Sequence, residues 1–371
     1  MSEGTTRYLG LDVHKATITV AVAEESGPAT VFGTIVNEPA AVRKLVRQLG
    51  REARLVAAYE AGPTGYALHR ELTRLGVECT VAAPSLIPVR PGDRRIKTDK
   101  RDAMGLARLL RNGDLTAVWV PDPEHEALRD LVRARYDAKD DLRRARHRLA
   151  KFLLRLSVCS PPGIKAWSAR YHAWLNQLRF EQPAAQVVLD DYRVVEQAAH
   201  ERVRRLELAL WRCAEQSPQL PLIAALQVLR GIAFLSAVTI VAEVGDFRRF
   251  ASAPGFMCFT GLVTSEYSSG ASRRQGGITR SGNRYLRHVL VQAAHNARYT
   301  PNLRGAVQQR LDGLPPDLVE LALQAQQRLH ARYRHLDRRV GRPKAVTAVA
   351  RELAGFVWAV GRRMSEAPAA A

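Results

Sequence analysis

The stretch RYLGLDVHKATITVAVA (Arg7–Ala23) is the one on which the reading of the fold turns. Its halves RYLGLDV and TITVAVA are short runs of apolar and β-branched residues, and VFGTIV (Val31–Val36) follows at the same spacing. Three such runs predict a three-strand meander. Outward from it the signals alternate. AAVRKLVRQLG (Ala40–Gly50) has helical periodicity and closes on a glycine. Strand RLVAAYE (Arg54–Glu60), helix GYALHRELTRLG (Gly65–Gly76), strand ECTVAA (Glu78–Ala83), helix KRDAMGLARLLRNG (Lys100–Gly113) and a last strand TAVWV (Thr116–Val120) complete the series.

Three strands followed by alternating helix and strand is the element order of an RNase H-like α/β fold, and also of the actin-like ATPase half-domain. The ATPase would need a second Asp-Gly phosphate loop and a glycine-rich adenosine motif, and neither occurs. Beyond the first domain (residues 1–122) the chain turns helical. The run Pro121–Leu156 carries Leu128, Leu131, Val132 and Tyr136 at helical spacing opposite a charged face. PPGIKAW (Pro161–Trp167) breaks it, and Val187–Gln216 is a second long run. This predicts an antiparallel, coiled-coil-like arm over 123–217 that serves self-association, or alternatively a three-helix subdomain with no partner role. From Pro218 a mostly helical domain (218–371) follows. Its segment LQVLRGIAFLSAVTIVAEVGDFRRF (Leu226–Phe250) is either a glycine hairpin offering amides to phosphate or plain core.

The chain of 371 residues carries 56 basic and 36 acidic side chains, a formal charge of +20. An excess of that size repels itself, and a polyanion relieves it by counterion release. The composition thus points to DNA or RNA. The longest apolar run, GIAFLSAVTIVAEVG, is too short to span a bilayer and contains Glu243, so no membrane role is expected. Cys79, Cys159, Cys213 and Cys258 form no C-x-x-C pair, which argues against zinc and a disulfide framework. The N-terminus MSEGTTRYLG lacks signal-peptide order, so a cytoplasmic, nucleoid-associated protein is expected.

Four acids stand where a metal site would need them. Asp12 ends the first strand, Glu60 ends the fourth before a Gly-Pro turn, and Asp99 and Asp102 open a helix three residues apart. Each alone has a plainer use: Asp12 as a turn former, Glu60 as a surface acid, Asp99 as an N-cap, Asp102 as a helix-dipole partner. Together the fold order brings them to one sheet edge, where four carboxylates can hold two Mg²⁺ ions about 3.5–4 Å apart for phosphoryl transfer. Hard oxygen ligands favour Mg²⁺ over zinc. His14 is taken as structural. Further on, TSEYSSGASRRQGGITRSGNRYLRHVL (Thr264–Leu290) places serines among arginines. Ser and Gly are turn formers, so the cluster is either a turn before a helix or a nucleophile awaiting activation.

GLDVHKATITVAV, YEAGPTGY, KTDKRDA and FTGLVTSEYSSGASRRQGGITRSGNRYLRHVL resemble the DEDD transposases of insertion-sequence family one-ten, the bridge-RNA-guided recombinases related to Piv-type DNA invertases. The likeness covers nearly the whole chain. It implies that Asp12, Glu60, Asp99 and Asp102 are the metal-binding tetrad of a RuvC-like domain and that Ser269 is the nucleophile of a transposase domain, with Ser268 its rival. Arg273, Arg274, Arg280 and Arg284 would neutralise the phosphate, and Ser265 and Ser272 would shape the turn. The implied activity is site-specific recombination of donor and target double-stranded DNA through a phosphoserine intermediate, at a composite site. A structured noncoding RNA would act as guide, and dimers would pair to a tetramer. Alternatives are a junction-resolving endonuclease using metal-activated water and a non-catalytic nucleic-acid-binding protein.

Overall fold

The computed structural model describes residues 5–88, 98–267, 269, 272, 274–302, 306–311 and 313–366. Contacts divide the chain into two compact units, Met1–Pro121 and Asp122–Ala371.

The first unit is built on β1 (Thr5–Val13), β2 (Thr17–Ala23), β3 (Thr30–Val36), α1 (Pro39–Leu49), β4 (Ala53–Glu60), α2 (Ala67–Arg74), β5 (Glu78–Ala82) and α3 (Asp99–Arg111). The sheet order is β3-β2-β1-β4-β5. The meander β1-β2-β3 is antiparallel, and β4 and β5 add to β1 in parallel. Strand alternation sorts the two faces. Leu9, Leu11, Ile18, Val20, Tyr59 and Leu72 pack on the side of α1 and α2. On the other face the buried layer is made of small residues, Ala21 and Ala23 of β2 with Ala103 and Ala107 of α3, and Tyr8 and Met104 pack half-buried against it. Gly10 makes this closeness possible: a Cβ there would lie 2.0 Å from the Ala103 carbonyl oxygen and 2.4 Å from the Ala107 nitrogen. The expected last strand, TAVWV, is a correction. Only Ala117 bridges to Ala82, through Ala83 N–H to the Thr116 carbonyl (2.9 Å) and Val118 N–H to the Val81 carbonyl (2.8 Å). Val118 and Val120 pack on the core, so burial rather than a continuing ladder explains their strand-like pattern.

The second unit begins with α4 (Pro123–Arg155), α5 (Ala169–Gln177) and α6 (Pro183–Glu215). α4 and α6 run antiparallel, tied by Arg135–Glu207, Arg202–Asp141 and Arg146–Glu196. The short α5 packs at the far end through Tyr171 and Leu175 against Leu149, Phe152 and Leu189, so the connection is a helix as well as a break. At the near end Val132, Leu210 and Ala214 belong to the main helical core. That core is completed by α7 (Leu220–Leu226), α8 (Phe234–Val244), α9 (Ala253–Thr260), α10 (Arg284–Ala294), α11 (Ala306–Leu311), α12 (Pro316–Val340) and α13 (Arg342–Glu366), with a small hairpin of β6 (Thr264–Glu266) and β7 (Gln275–Ile278). Between α7 and α8, Val228, Leu229 and Ile232 are fully buried; the amides of Val228 and Leu229 donate to the Ala225 and Leu226 carbonyls of α7, and that of Ile232 to the Leu229 carbonyl. These residues and most of α8 are core, while Arg230, Gly231 and Ala233 of the turn reach the surface. No described helix is long and apolar enough to cross a membrane.

Candidate functional site

Asp12 and Gly10 share the face of β1 that meets α3, because side chains alternate along a strand. α3 starts beside them. Thr98, not Asp99, caps it, its hydroxyl oxygen accepting from Arg101 N–H. Asp99 and Asp102 therefore stand in the first turn, where the helix dipole favours negative charge. The result is a tight constellation in which Asp12, His14 and Asp99 can direct ligand atoms lying within 4.8 Å of one another. His14 Nε2 is 3.3 Å from Asp12 Oδ2 and 3.5 Å from Asp99 Oδ2. The Asp12 side chain is only 22% exposed, against 61% for Asp99. Burial raises the Asp12 pKa; His14 opposes the shift, while the charges of Asp99 and Asp102 add to it. A pocket in which carboxylates repel one another is one that a cation stabilises, and two carboxylates with an imidazole suit a divalent metal.

Glu60 ends β4 one residue beyond the Tyr59–Leu11 pair, and alternation sets it on the face opposite the Tyr59 side chain, that of Asp12. It is exposed and lies outside the three-residue constellation. His14 stands in that constellation instead, and the sequence reading passed over it. A signal was there: His14 is two residues past Asp12, the spacing that keeps one face of an extended chain.

The serine stretch forms a hairpin. Tyr267 N–H donates to the Arg274 carbonyl (2.9 Å), and Ser269 and Ser272 exchange backbone hydrogen bonds of 3.1 Å. The Ser265 hydroxyl donates to the Gly277 carbonyl across the pair (3.2 Å). Ser269, Ser272, Arg274, Arg280 and Arg284 are all exposed. Ser268 and Arg273 lie outside the described residues. The hairpin returns onto α9 through a close turn: a Cβ on Gly282, at φ +123°, would lie 2.3 Å from the Phe259 carbonyl oxygen. The next residue, Asn283, caps α10 by accepting from Tyr285 and Leu286 N–H.

Asn283 has a second bond that the sequence did not announce. Its Nδ2 donates to Glu243 Oε2 at 2.6 Å, and Arg133 of α4 grips the same carboxylate through Nε and a terminal nitrogen at 2.8 and 2.9 Å. The Glu243 side chain is fully buried, so its charge is tolerable only because both oxygens are paired. The base of the arm, the apolar α8 and the start of α10 are thereby locked together.

An acid-lined sheet of this topology, followed by a basic helical unit bearing a serine hairpin, fits a DNA transposase of the DEDD class, whose first domain is RNase H-like. Two family models agree: one for DEDD transposases of the IS110 type, described as "Transposase", matches residues 9–158. The other, described as "Transposase IS116/IS110/IS902 family", matches residues 223–308. A Sinorhizobium fredii protein bearing the name transposase y4qE is 43% identical over 96% of this chain and 88% of its own. The transposase for insertion sequence element IS1533 of Leptospira borgpetersenii is 33% identical over 89% of this chain and 96% of its own. The chain belongs to the IS110 family of transposases.

Proposed function

We propose that this transposase recombines donor and target DNA through a phosphoserine on Ser269, with a divalent-metal site at Asp12, Glu60, Asp99 and Asp102 and with His14 as a further ligand or an orienting group. The observation that carries the metal assignment is the Asp12–His14–Asp99 constellation, where a cation would relieve the repulsion between carboxylates. Mg²⁺, one ion or two, would stabilise the oxyanion developing at the phosphate and the leaving oxygen. For the serine, the support is an exposed hydroxyl on a backbone-paired hairpin with Arg274, Arg280 and Arg284 exposed in the same motif. Ser269 Oγ attacks phosphorus, one P–O bond breaks, the serine proton is released and the departing oxygen takes up a proton as a free hydroxyl. That hydroxyl then attacks the phosphoserine of the partner strand and releases the serine.

The family likeness further implies a structured noncoding RNA that pairs with both DNAs, so that base pairing reads the sequence and the protein reads backbone. Two DNAs require a multimer, a dimer pairing to a tetramer. Val187, Val194 and Leu208 on α6, exposed by 67, 67 and 52% and set seven and fourteen residues apart, support association through the arm. Incubating protein, RNA and nicked DNA should leave a denaturation-resistant adduct that mass spectrometry maps to Ser269. Ser269→Ala should lose it and still bind both nucleic acids. Recombination by Ser269→Ala would replace this reading with a water-using nuclease, and an adduct on Ser268 would shift the nucleophile by one residue.

A further inference from the structure

A groove of about 920 Å³ runs between the outer part of α4 and α10, lined by five Lys and Arg side chains against two Asp. We propose that it binds one strand of nucleic acid, its phosphates on Lys139, Arg143 and His288 and its bases against Tyr285 and Trp167. The proposal rests on the nucleic-acid function above and gives it a groove that shares Arg284 with the serine motif.

Three observations support it. First, cations crowd there: Arg135, Lys139, Arg143, Arg146 and Arg284 line one groove. Lys139 has no hydrogen-bond or ion-pair partner among the described residues. Partial burial and then the Arg135 charge lower the Lys139 pKa, with Glu207 opposing, while the side chain keeps an exposed face. The His288 pKa is lowered by burial and then by Lys139 and Arg135, with Asp140 opposing. Cations set close together along one groove are an arrangement that a phosphate backbone stabilises. Second, the nearby acids are already occupied: Glu207 by Arg135, Asp140 by Arg143, Glu196 by Arg146. Third, the aromatic side chains Tyr136, Tyr285 and Trp167 line the same walls, interleaved with arginines. The Tyr136 and Tyr285 rings lie 5.0 Å apart, and Arg146 sits 5.0 Å above Trp167. Basic walls with interleaved aromatics are how proteins hold unpaired strands, because every base has a face to stack.

The test is a Lys139→Gln/Arg143→Gln double variant of the full chain, compared with Arg334→Gln/Arg338→Gln, which removes equal charge from an exposed patch on α12. Labelled 20-nucleotide RNA, 20-nucleotide DNA and a 20-base-pair duplex are titrated from 50 to 300 mM salt. The groove variant should bind a single strand about tenfold or more weakly, with the log–log salt slope shallower by about 1.4 for two lost contacts. The α12 variant should stay within threefold. Photocrosslinking with thiouridine strands should label Tyr285 or His288. Loss concentrated on RNA makes the occupant the guide, and loss concentrated on DNA makes it a displaced strand. Unchanged affinity of the groove variant, equal loss in both variants, or an effect confined to duplex overturns the proposal. Metal-dependent cleavage that persists in wild type under that outcome leaves the general function standing.

Discussion

Gly10→Ala is a one-carbon test of how the acidic site is held. The new Cβ would sit 2.0 Å from the Ala103 carbonyl oxygen and 2.4 Å from the Ala107 nitrogen, whereas ordinary contact begins near 3.4 Å. Both obstacles are backbone, so no side chain can swing away, and α3 must retreat from β1 by about 1.4 Å. Overpacking of this kind costs about 1–3 kcal/mol. For a domain of this size that lowers the melting temperature by roughly 3–5 °C per kcal/mol. Asp99 and Asp102 ride on α3, so the 3.5 Å approach of Asp99 to His14 opens with it. A misplacement near 1 Å costs about 10²-fold in rate. Metal-dependent strand cleavage should fall by about that factor, while DNA binding stays within about twofold of wild type, since the arginines of the second unit are untouched. Gly105→Ala supplies the control. The same helix has open space at that position, so the change should stabilise by about 0.5–1 kcal/mol and leave cleavage intact. A Gly10→Ala protein that cleaves within threefold of wild type would refute the claim that this contact sets the carboxylate spacing.

Asp12→Asn should abolish cleavage and spare DNA binding; in metal-free buffer at pH 7 it should also melt above wild type. The sign follows from the raised pKa of Asp12: its favourable contribution is complete below the ordinary 3.8 and lost as pH rises through the folded value. The melting difference should shrink as pH falls toward 4, and a constant difference would contradict the burial and charge argument. Adding Mg²⁺ should raise the melting temperature of wild type and not of Asp12→Asn. Glu243→Gln should cost at least about 2 kcal/mol in urea unfolding, because it strips the carboxylate from Arg133. Asn283→Ala should cost about 1 kcal/mol for the lost cap, with losses under 0.5 kcal/mol in both variants arguing against the network.

Much of the first unit could be read directly. Five strands and three helices follow from period-two and period-3.6 patterns, and Gly50 stops α1 where expected. The long helices α4 and α6 were equally plain, because 33 residues of periodic pattern leave little ambiguity. The serine stretch was legible in type, a polar turn ahead of a helix, yet its pairing as a hairpin was not, because three- and four-residue strands carry almost no periodicity.

What the chain alone determined is the local pattern and the residue chemistry: the meander, the acids at strand and helix ends, the basic charge, the family motifs. Tertiary structure decided which of these meet. It set Thr98 rather than Asp99 as the cap, drew His14 rather than Glu60 into the closest cluster, and buried Glu243 between Arg133 and Asn283, residues 110 and 40 positions away. The physical reason is common to all three. Hydrogen-bond geometry and desolvation depend on distances in space, and side chains far apart in the chain acquire those distances only when strands pair and helices pack.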